Sequence, residues 1–182
     1  MNRVTKADLY RYGRLTGTKG FIIGLFDPGF RYTFLMRKTM SHKLPSVRWL
    51  IYRILKRLFT DRGYQVSNDA QIGEGFYLYH RGTVIIGPVK IGKNCTVSHN
   101  ITIGRAWKDG KIARPTIGDM VWIGTGAVVV GGINIGNNVR IAPNSFVYSD
   151  VPDNSLVIGN PVQIIKKDNP TKYYIFDVLE EE

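Results

Sequence analysis

Three histidines, His42, His80 and His99, are the side chains of this 182-residue chain best suited to move a proton near neutral pH. Two of them sit alike, His80 two residues after Leu78 and His99 two residues after Val97. A neutral imidazole can take the proton of a hydroxyl as its oxygen attacks a carbonyl, then return it to the leaving group. The single cysteine, Cys95, lies two residues before Val97 and reads as a small buried residue rather than a nucleophile. One cysteine also excludes an intramolecular disulfide framework and fits a reducing compartment.

The segment that must position these histidines carries a six-residue repeat. Ile72, Leu78 and Val84 are six apart, as are Ile91, Val97 and Ile103, and then Ile117, Ile123, Val129, Ile135, Ile141 and Val147. A period of six excludes an α-helix and implies a parallel β-helix, three hexads to a turn, hence about four turns around a stack of aliphatic side chains. Gly73, Gly92, Gly104, Gly118, Gly124 and Gly136 directly follow aliphatic positions, which suits a chain that turns tightly after each short strand. The register puts His80 and His99 on one corner, one turn apart, followed by Thr125 and Pro143. The interval from Ile103 to Ile117 exceeds a hexad by eight residues, so Gly104 to Lys111 should leave the coil as a loop.

Residues 1–65 are different in kind. They hold 14 Lys and Arg against Asp8, Asp27 and Asp61, the whole of the chain's net charge of +11, while residues 66–182 balance to zero. Asp27-Pro28 and Pro45-Ser46 read as helix starts. The second opens a run with Val47, Leu50, Ile51, Ile54, Leu55 and Leu58 at helical spacing, flanked by Arg48, Arg53, Lys56, Arg57 and Arg62, with Trp49, Tyr52 and Phe59 at its edges. Such a stripe ordinarily packs on its own protein, and that reading is favoured; contact with an anionic membrane surface is the alternative. The expected organisation is a basic helical segment over 1–65, the β-helix over 66–160 and a tail over 161–182. The helical segment should cap one end of the coil, and the chain should leave the other from about Pro152. With 43% hydrophobic and 21% charged residues the chain can bury a core, and 182 residues exclude two full-sized domains. It opens on no secretory signal and has no apolar run of about 18 residues, so the cytoplasm is expected, with peripheral attachment at the inner membrane face as the use of the basic end.

The hexads, together with Val121-Trp122-Ile123-Gly124 and Val157-Ile158-Gly159-Asn160-Pro161-Val162, resemble the hexapeptide-repeat acyltransferases, enzymes built on a left-handed β-helix. Ile72-Gly73-Glu74-Gly75-Phe76-Tyr77-Leu78-Tyr79-His80 and Gly82-Thr83-Val84-Ile85-Ile86-Gly87 are similar to the serine acetyltransferase branch and its polysaccharide-cluster relatives. The γ-class carbonic anhydrases share the coil but need three histidines on one zinc, and neither His80 nor His99 has a second histidine four or five residues away. No metal is expected.

The resemblance implies transfer of acetyl from acetyl-CoA to a hydroxyl, in a homotrimer with sites between subunits. His80 matches the general base, and Gly104 is the first candidate donor to the oxyanion. Coenzyme contacts fall on Gly104, Gly124, Thr125 and Ala142, with Lys166 and Lys167 toward its phosphates. Tyr79, His99, Trp107 and Arg114 fall on the acceptor side. The branch's histidine-orienting aspartate lands on Gln65, which leaves Glu74, or else Asp69, as the nearest carboxylate in sequence. An acidic residue that helps hold serine is Tyr79 here, and a histidine with the same task is Arg114. These departures favour a sugar hydroxyl in surface polysaccharide assembly, with capsule, lipopolysaccharide or exopolysaccharide as the destination and Trp107 as a sugar platform. Serine O-acetylation for cysteine synthesis is the alternative, and a noncatalytic binding module is a second; no motif points to nucleic acid.

Overall fold

The computed structural model describes residues 1–40, 46–60, 63–108 and 110–180; His42, Pro45, Arg62 and Asp109 lie outside them. Four helices come first: α1 (Arg3–Tyr10), α2 (Gly17–Gly24), α3 (Pro28–Met40) and α4 (Val47–Thr60). Both foreseen helix starts are found. Asp27 Oδ1 accepts the N–H groups of Gly29 and Phe30, capping α3, and Ser46 Oγ accepts that of Trp49, capping α4.

The coil follows as short strands. Its first turn is β1 (Tyr64–Val66), β2 (Gln71–Ile72) and β3 (Tyr77–Leu78), and its second is β4 (Val84–Ile86), β5 (Lys90–Ile91) and β6 (Thr96–Val97). The third begins with β7 (Ile101–Gly104), leaves as the hairpin β8 (Ala106–Lys108) and β9 (Lys111–Ala113), and resumes with β10 (Thr116–Ile117) and β11 (Trp122–Ile123). The fourth is β12 (Val128–Val130), β13 (Asn134–Ile135) and β14 (Val139–Ile141); the fifth is β15 (Phe146–Val147), a bridge at Val151 and β16 (Ser155–Ile158). A last strand, β17 (Gln163–Lys166), pairs antiparallel with β16.

Three parallel ladders make the three faces of the prism, consistent with the left-handed coil that the resemblance implies. Face A stacks Val66, Ile86, Ile103, Val129 and Val147. Face B stacks Ile72, Ile91, Ile117, Ile135 and Val151. Face C stacks Leu78, Val97, Ile123, Ile141 and Val157. There are thus about five turns rather than four, because Val66 extends the repeat upstream and Val151 and Val157 extend it past Val147. The phase also differs at one point. Ile86, not Val84, lies over Ile103, so the interval between Leu78 and Ile86 contains two residues more than a hexad. Both Val84 and Ile86 are buried, which hid the insertion in the sequence.

The glycines that follow the aliphatic positions, Gly104 excepted, serve close approach rather than turning. Gly73, Gly92, Gly118 and Gly136 have no positive φ, and a Cβ on any of the first three would stand 2.6–2.8 Å from the backbone carbonyl of the next glycine in the column. Positive φ falls elsewhere, on Asn94, Asn100, Asn138 and Asn144 among others, where asparagine tolerates the left-handed region.

Helices α1 and α3 close the first turn. Asp8 and Arg37 form a paired contact (3.0 and 3.2 Å) with the carboxylate buried, Asp8 also accepts the N–H of Phe76, and Arg37 donates to the carbonyls of Ile72 and Gly73. Arg11, buried, donates to Gly75 O, Thr96 Oγ1 and Phe176 O. The last of these belongs to the tail, which climbs face C from Asn138 and Arg140 past Trp122 to Tyr77, with the Tyr174 ring under the Arg140 guanidinium at 3.9 Å. Helix α4 departs from expectation. Its apolar stripe faces outward, with Val47, Leu50, Ile51, Ile54 and Leu58 all about half exposed or more, while Trp49 and Tyr52 turn toward α3.

Candidate active site

The two extra residues between Leu78 and Ile86 make His80 unlike the positions stacked below it. In later turns the corner between faces C and A places positive φ on Asn100, Gly126 and Asn144, one residue after the column of His99, Thr125 and Pro143. In the first turn the lengthened corner moves that conformation onto His80 itself (φ 69°), with Gly82 absorbing the rest (φ 155°). A non-glycine residue held in the left-handed region is uncommon, and here it projects an exposed imidazole while His99 stays half-buried.

The column expected from the repeat is present. The His80 and His99 rings meet edge to face with centroids 5.7 Å apart, and His99 Nδ1 lies 3.5 Å from Thr125 Oγ1. The Tyr79 ring lies against the His80 imidazole at 3.9 Å. Tyr64 Oη donates to the His80 carbonyl oxygen at 3.1 Å, so β1 braces the corner from below. Burial raises the Tyr64 phenol above its ordinary pKa, with the Asp27 charge adding to the rise and Arg81 opposing it. Burial likewise raises Tyr77 and Tyr12, and Asp27 contributes at both. Asp27, at the cap of α3, is thus within electrostatic reach of Tyr64, whose hydroxyl meets the His80 carbonyl. Its sequence signal was that of a helix cap only.

The remaining expectations divide between two edges of the prism. Gly124, Thr125 and Ala142 fall on the C–A edge with His80 and His99, as the register requires. A Cβ on Gly124 would stand 2.6 Å from Pro143 N, so this glycine is demanded by the coil itself. Gly104, Trp107 and Arg114 fall at or beyond the A–B edge. Gly104 ends β7, and Trp107, 75% exposed, and the exposed Arg114 belong to the β8–β9 hairpin and its exit, so the expected loop is an ordered hairpin. A face three to four residues wide separates these groups by roughly 10 Å or more. Gly104 and His80 are not brought together within one chain. Lys166 and Lys167 are exposed beyond the fifth turn.

Glu74 is a correction. It lies at the B–C corner, one strand away from the corner of His80, and its carboxylate pairs with Arg3 at 3.0 Å and Lys93 at 3.5 Å. Nearness in sequence did not mean nearness across the strand. Asp69 sits in the exposed A–B turn, its N–H on Ser67 Oγ. Cys95 is buried, and burial pushes its thiol up to about 12, which suits a packing residue.

Residues 114–149 match the family model described as bacterial transferase hexapeptide (six repeats). Over 147 residues the chain is 34% identical to serine acetyltransferase of Helicobacter pylori, spanning 79% of this chain and 85% of that one. Its fold is similar to that of Neisseria gonorrhoeae serine acetyltransferase (TM-score 0.72, 28% identity, 91% of this chain and 66% of that one). A second structure of the Neisseria protein is a complex with serine (TM-score 0.66, 29% identity, 88% and 67%). Serine acetyltransferase from Brucella abortus in complex with coenzyme A is similar too (TM-score 0.70, 26% identity, 91% and 67%). The chain thus spans about two thirds of the length of these solved relatives. These likenesses overturn the expectation of a sugar acceptor and of polysaccharide assembly, since the relatives are serine acetyltransferases and one is solved with serine. The departures at Tyr79 and Arg114 therefore do not exclude serine as the acceptor.

Proposed function

The chain belongs to the serine acetyltransferase family, acetyl-CoA-dependent O-acetyltransferases built on hexapeptide repeats, and on that premise we propose that it transfers acetyl from acetyl-CoA to the hydroxyl of serine. The observation that carries this reading is His80, an imidazole held in the left-handed region at the head of the C–A edge and braced through its own carbonyl by Tyr64. In the reaction His80 accepts the hydroxyl proton as the serine oxygen attacks the thioester carbonyl. The tetrahedral intermediate then expels the thiolate, breaking the C–S bond, and the imidazolium returns the proton to sulfur. The products are O-acetylserine and coenzyme A.

Serine is a zwitterion, and the surroundings of His80 offer charge of both signs. Asp27 supplies the negative charge that the family places at the position of Tyr79 here, and Arg81, beside His80, supplies a positive one for the carboxylate. Tyr79 contributes a ring wall. Gly124, Thr125 and Ala142 are proposed to follow the coenzyme's pantetheine along the C–A edge, with Lys166 and Lys167 toward its phosphates as point charges.

We place the complete site between copies in a homotrimer. The C–A edge holds the base and the A–B edge holds Gly104, Trp107 and Arg114, and a second copy brings the two together. The exposure of Trp107 in the isolated chain agrees with this arrangement.

The test is coenzyme release from acetyl-CoA by purified protein. Serine should stimulate it, and His80→Ala should lower the serine-dependent rate about a hundredfold or more. Absence of stimulation by serine, or full activity of the variant, would overturn the reading.

A further inference from the structure

Helix α4 is attached to the protein by the side that an ordinary surface helix would show to water. At about 100° per residue, Val47, Ile51, Ile54 and Leu58 share one narrow stripe, with Leu50 at its edge, and Trp49, Tyr52 and Lys56 lie opposite. The opposite side makes the contacts with α3: Trp49 Nε1 donates to Thr39 O at 3.0 Å, the Tyr52 ring meets Phe34, and the Lys56 ammonium lies 5.1 Å from the Tyr32 ring centroid. The stripe itself is 48–79% exposed at its five apolar positions. A contiguous apolar row of this kind in water marks a surface that meets something.

The charges around the stripe say what that is. Arg48 borders one edge and Arg53 and Arg57 the other, and α4 contains no Asp or Glu. Docking the stripe against a second copy of itself would set these arginines against each other, whereas an anionic surface would satisfy both the apolar row and its cationic borders. The rest of residues 1–65 adds to the positive field, while residues 66–182 carry no net charge. Among the described residues no helix is long and apolar enough to cross a membrane, so attachment would be in the plane of the surface. We propose that α4 lies in the interface of an anionic lipid bilayer, Val47, Leu50, Ile51, Ile54 and Leu58 inserted and Arg48, Arg53 and Arg57 among the head groups, and so holds the enzyme peripherally. This surface is separate from the His80 site and does not depend on which acceptor is acetylated.

The experiment uses the full chain and co-sedimentation with vesicles, phosphatidylcholine alone or mixed with phosphatidylglycerol. Binding should be about tenfold stronger or more to the anionic vesicles and should weaken as salt is raised. Ile54→Glu should abolish it, and Leu50→Ala with Ile54→Ala, a milder change that keeps the helix, should weaken it about tenfold. Arg48→Gln with Arg53→Gln should remove the preference for anionic lipid. Unaltered thermal unfolding by circular dichroism identifies variants that remain folded. Failure of the wild-type chain to bind, or equal binding by the folded alanine variant, would overturn the proposal. So would sedimentation velocity showing that the alanine variant breaks an association between copies without changing vesicle binding, since the stripe would then be a protein interface.

Discussion

Tyr64 Oη and the His80 carbonyl oxygen, 3.1 Å apart, tie the strand that opens the coil to the corner that carries the proposed base. The contact holds the main chain of His80 rather than its ring, and so fixes where an imidazole in the left-handed region points. Tyr64→Phe removes one hydrogen bond and keeps the ring, which packs on Tyr32 at 4.9 Å between centroids. The fold should lose about 1 kcal/mol. Because misplacement of a base acts on the chemical step, kcat should fall about tenfold while KM for serine hardly moves. Equal loss in both constants, or none in kcat, would make Tyr64 a packing residue only.

The glycine column on the B–C corner gives a stability test. A Cβ on Gly92 would stand 2.6 Å from the carbonyl carbon and oxygen of Gly118, which are backbone atoms of the turn below. Neither can retreat without opening the ladder. Gly92→Ala should cost about 1–3 kcal/mol in urea unfolding. Gly104→Ala, at a glycine with nothing within 4 Å of the added atom, should leave stability unchanged and so serves as the control. A similar loss in both would show that backbone freedom, not close approach, governs these positions.

Much of the coil was legible because a period of six leaves few alternatives, and the column of His80, His99 and Thr125 followed from it directly. The fifth turn was hidden where the period breaks, since Val147 to Val151 is an interval of only four residues. The insertion that sets His80 apart was hidden because Val84 and Ile86 are both aliphatic and both buried. Asp27 and Glu74 show the limit from two sides. Asp27 comes within electrostatic reach of Tyr64 through tertiary packing of α3, which no local spacing records, and Glu74 is close in number but lies around a corner. The stripe of α4 was plain in the sequence, but which way it faced was decided by Trp49 and Tyr52 packing on α3.

Asp8 and Arg37 bind the helices to the first turn. The Asp8 side chain is 2% exposed, pairs with the Arg37 guanidinium and accepts the Phe76 N–H. Asp8→Ala leaves a largely buried guanidinium and an unpaired N–H, and should destabilise the protein by about 3 kcal/mol. Asp8→Asn keeps an acceptor for Phe76 and should cost less. Replacing both ionic partners, Asp8→Asn with Arg37→Met, should recover part of the loss of Arg37→Met alone, because no unpaired carboxylate remains. Additive losses in this cycle would mean that the pair is not coupled.

Asp27 gives the sharpest test of acceptor recognition. Its Oδ1 caps α3 through Gly29 and Phe30, and its charge reaches Tyr12, Tyr64 and Tyr77 around the site. Asn caps a helix about as well as Asp, so Asp27→Asn removes the charge while keeping the fold. If Asp27 balances the ammonium of serine, KM for serine should rise about tenfold or more, with KM for acetyl-CoA and the unfolding midpoint unchanged. The defect should be smaller for a hydroxy acid that lacks the amino group, because that acceptor has no ammonium to balance. An equal defect for both acceptors would remove Asp27 from recognition and leave it as a helix cap.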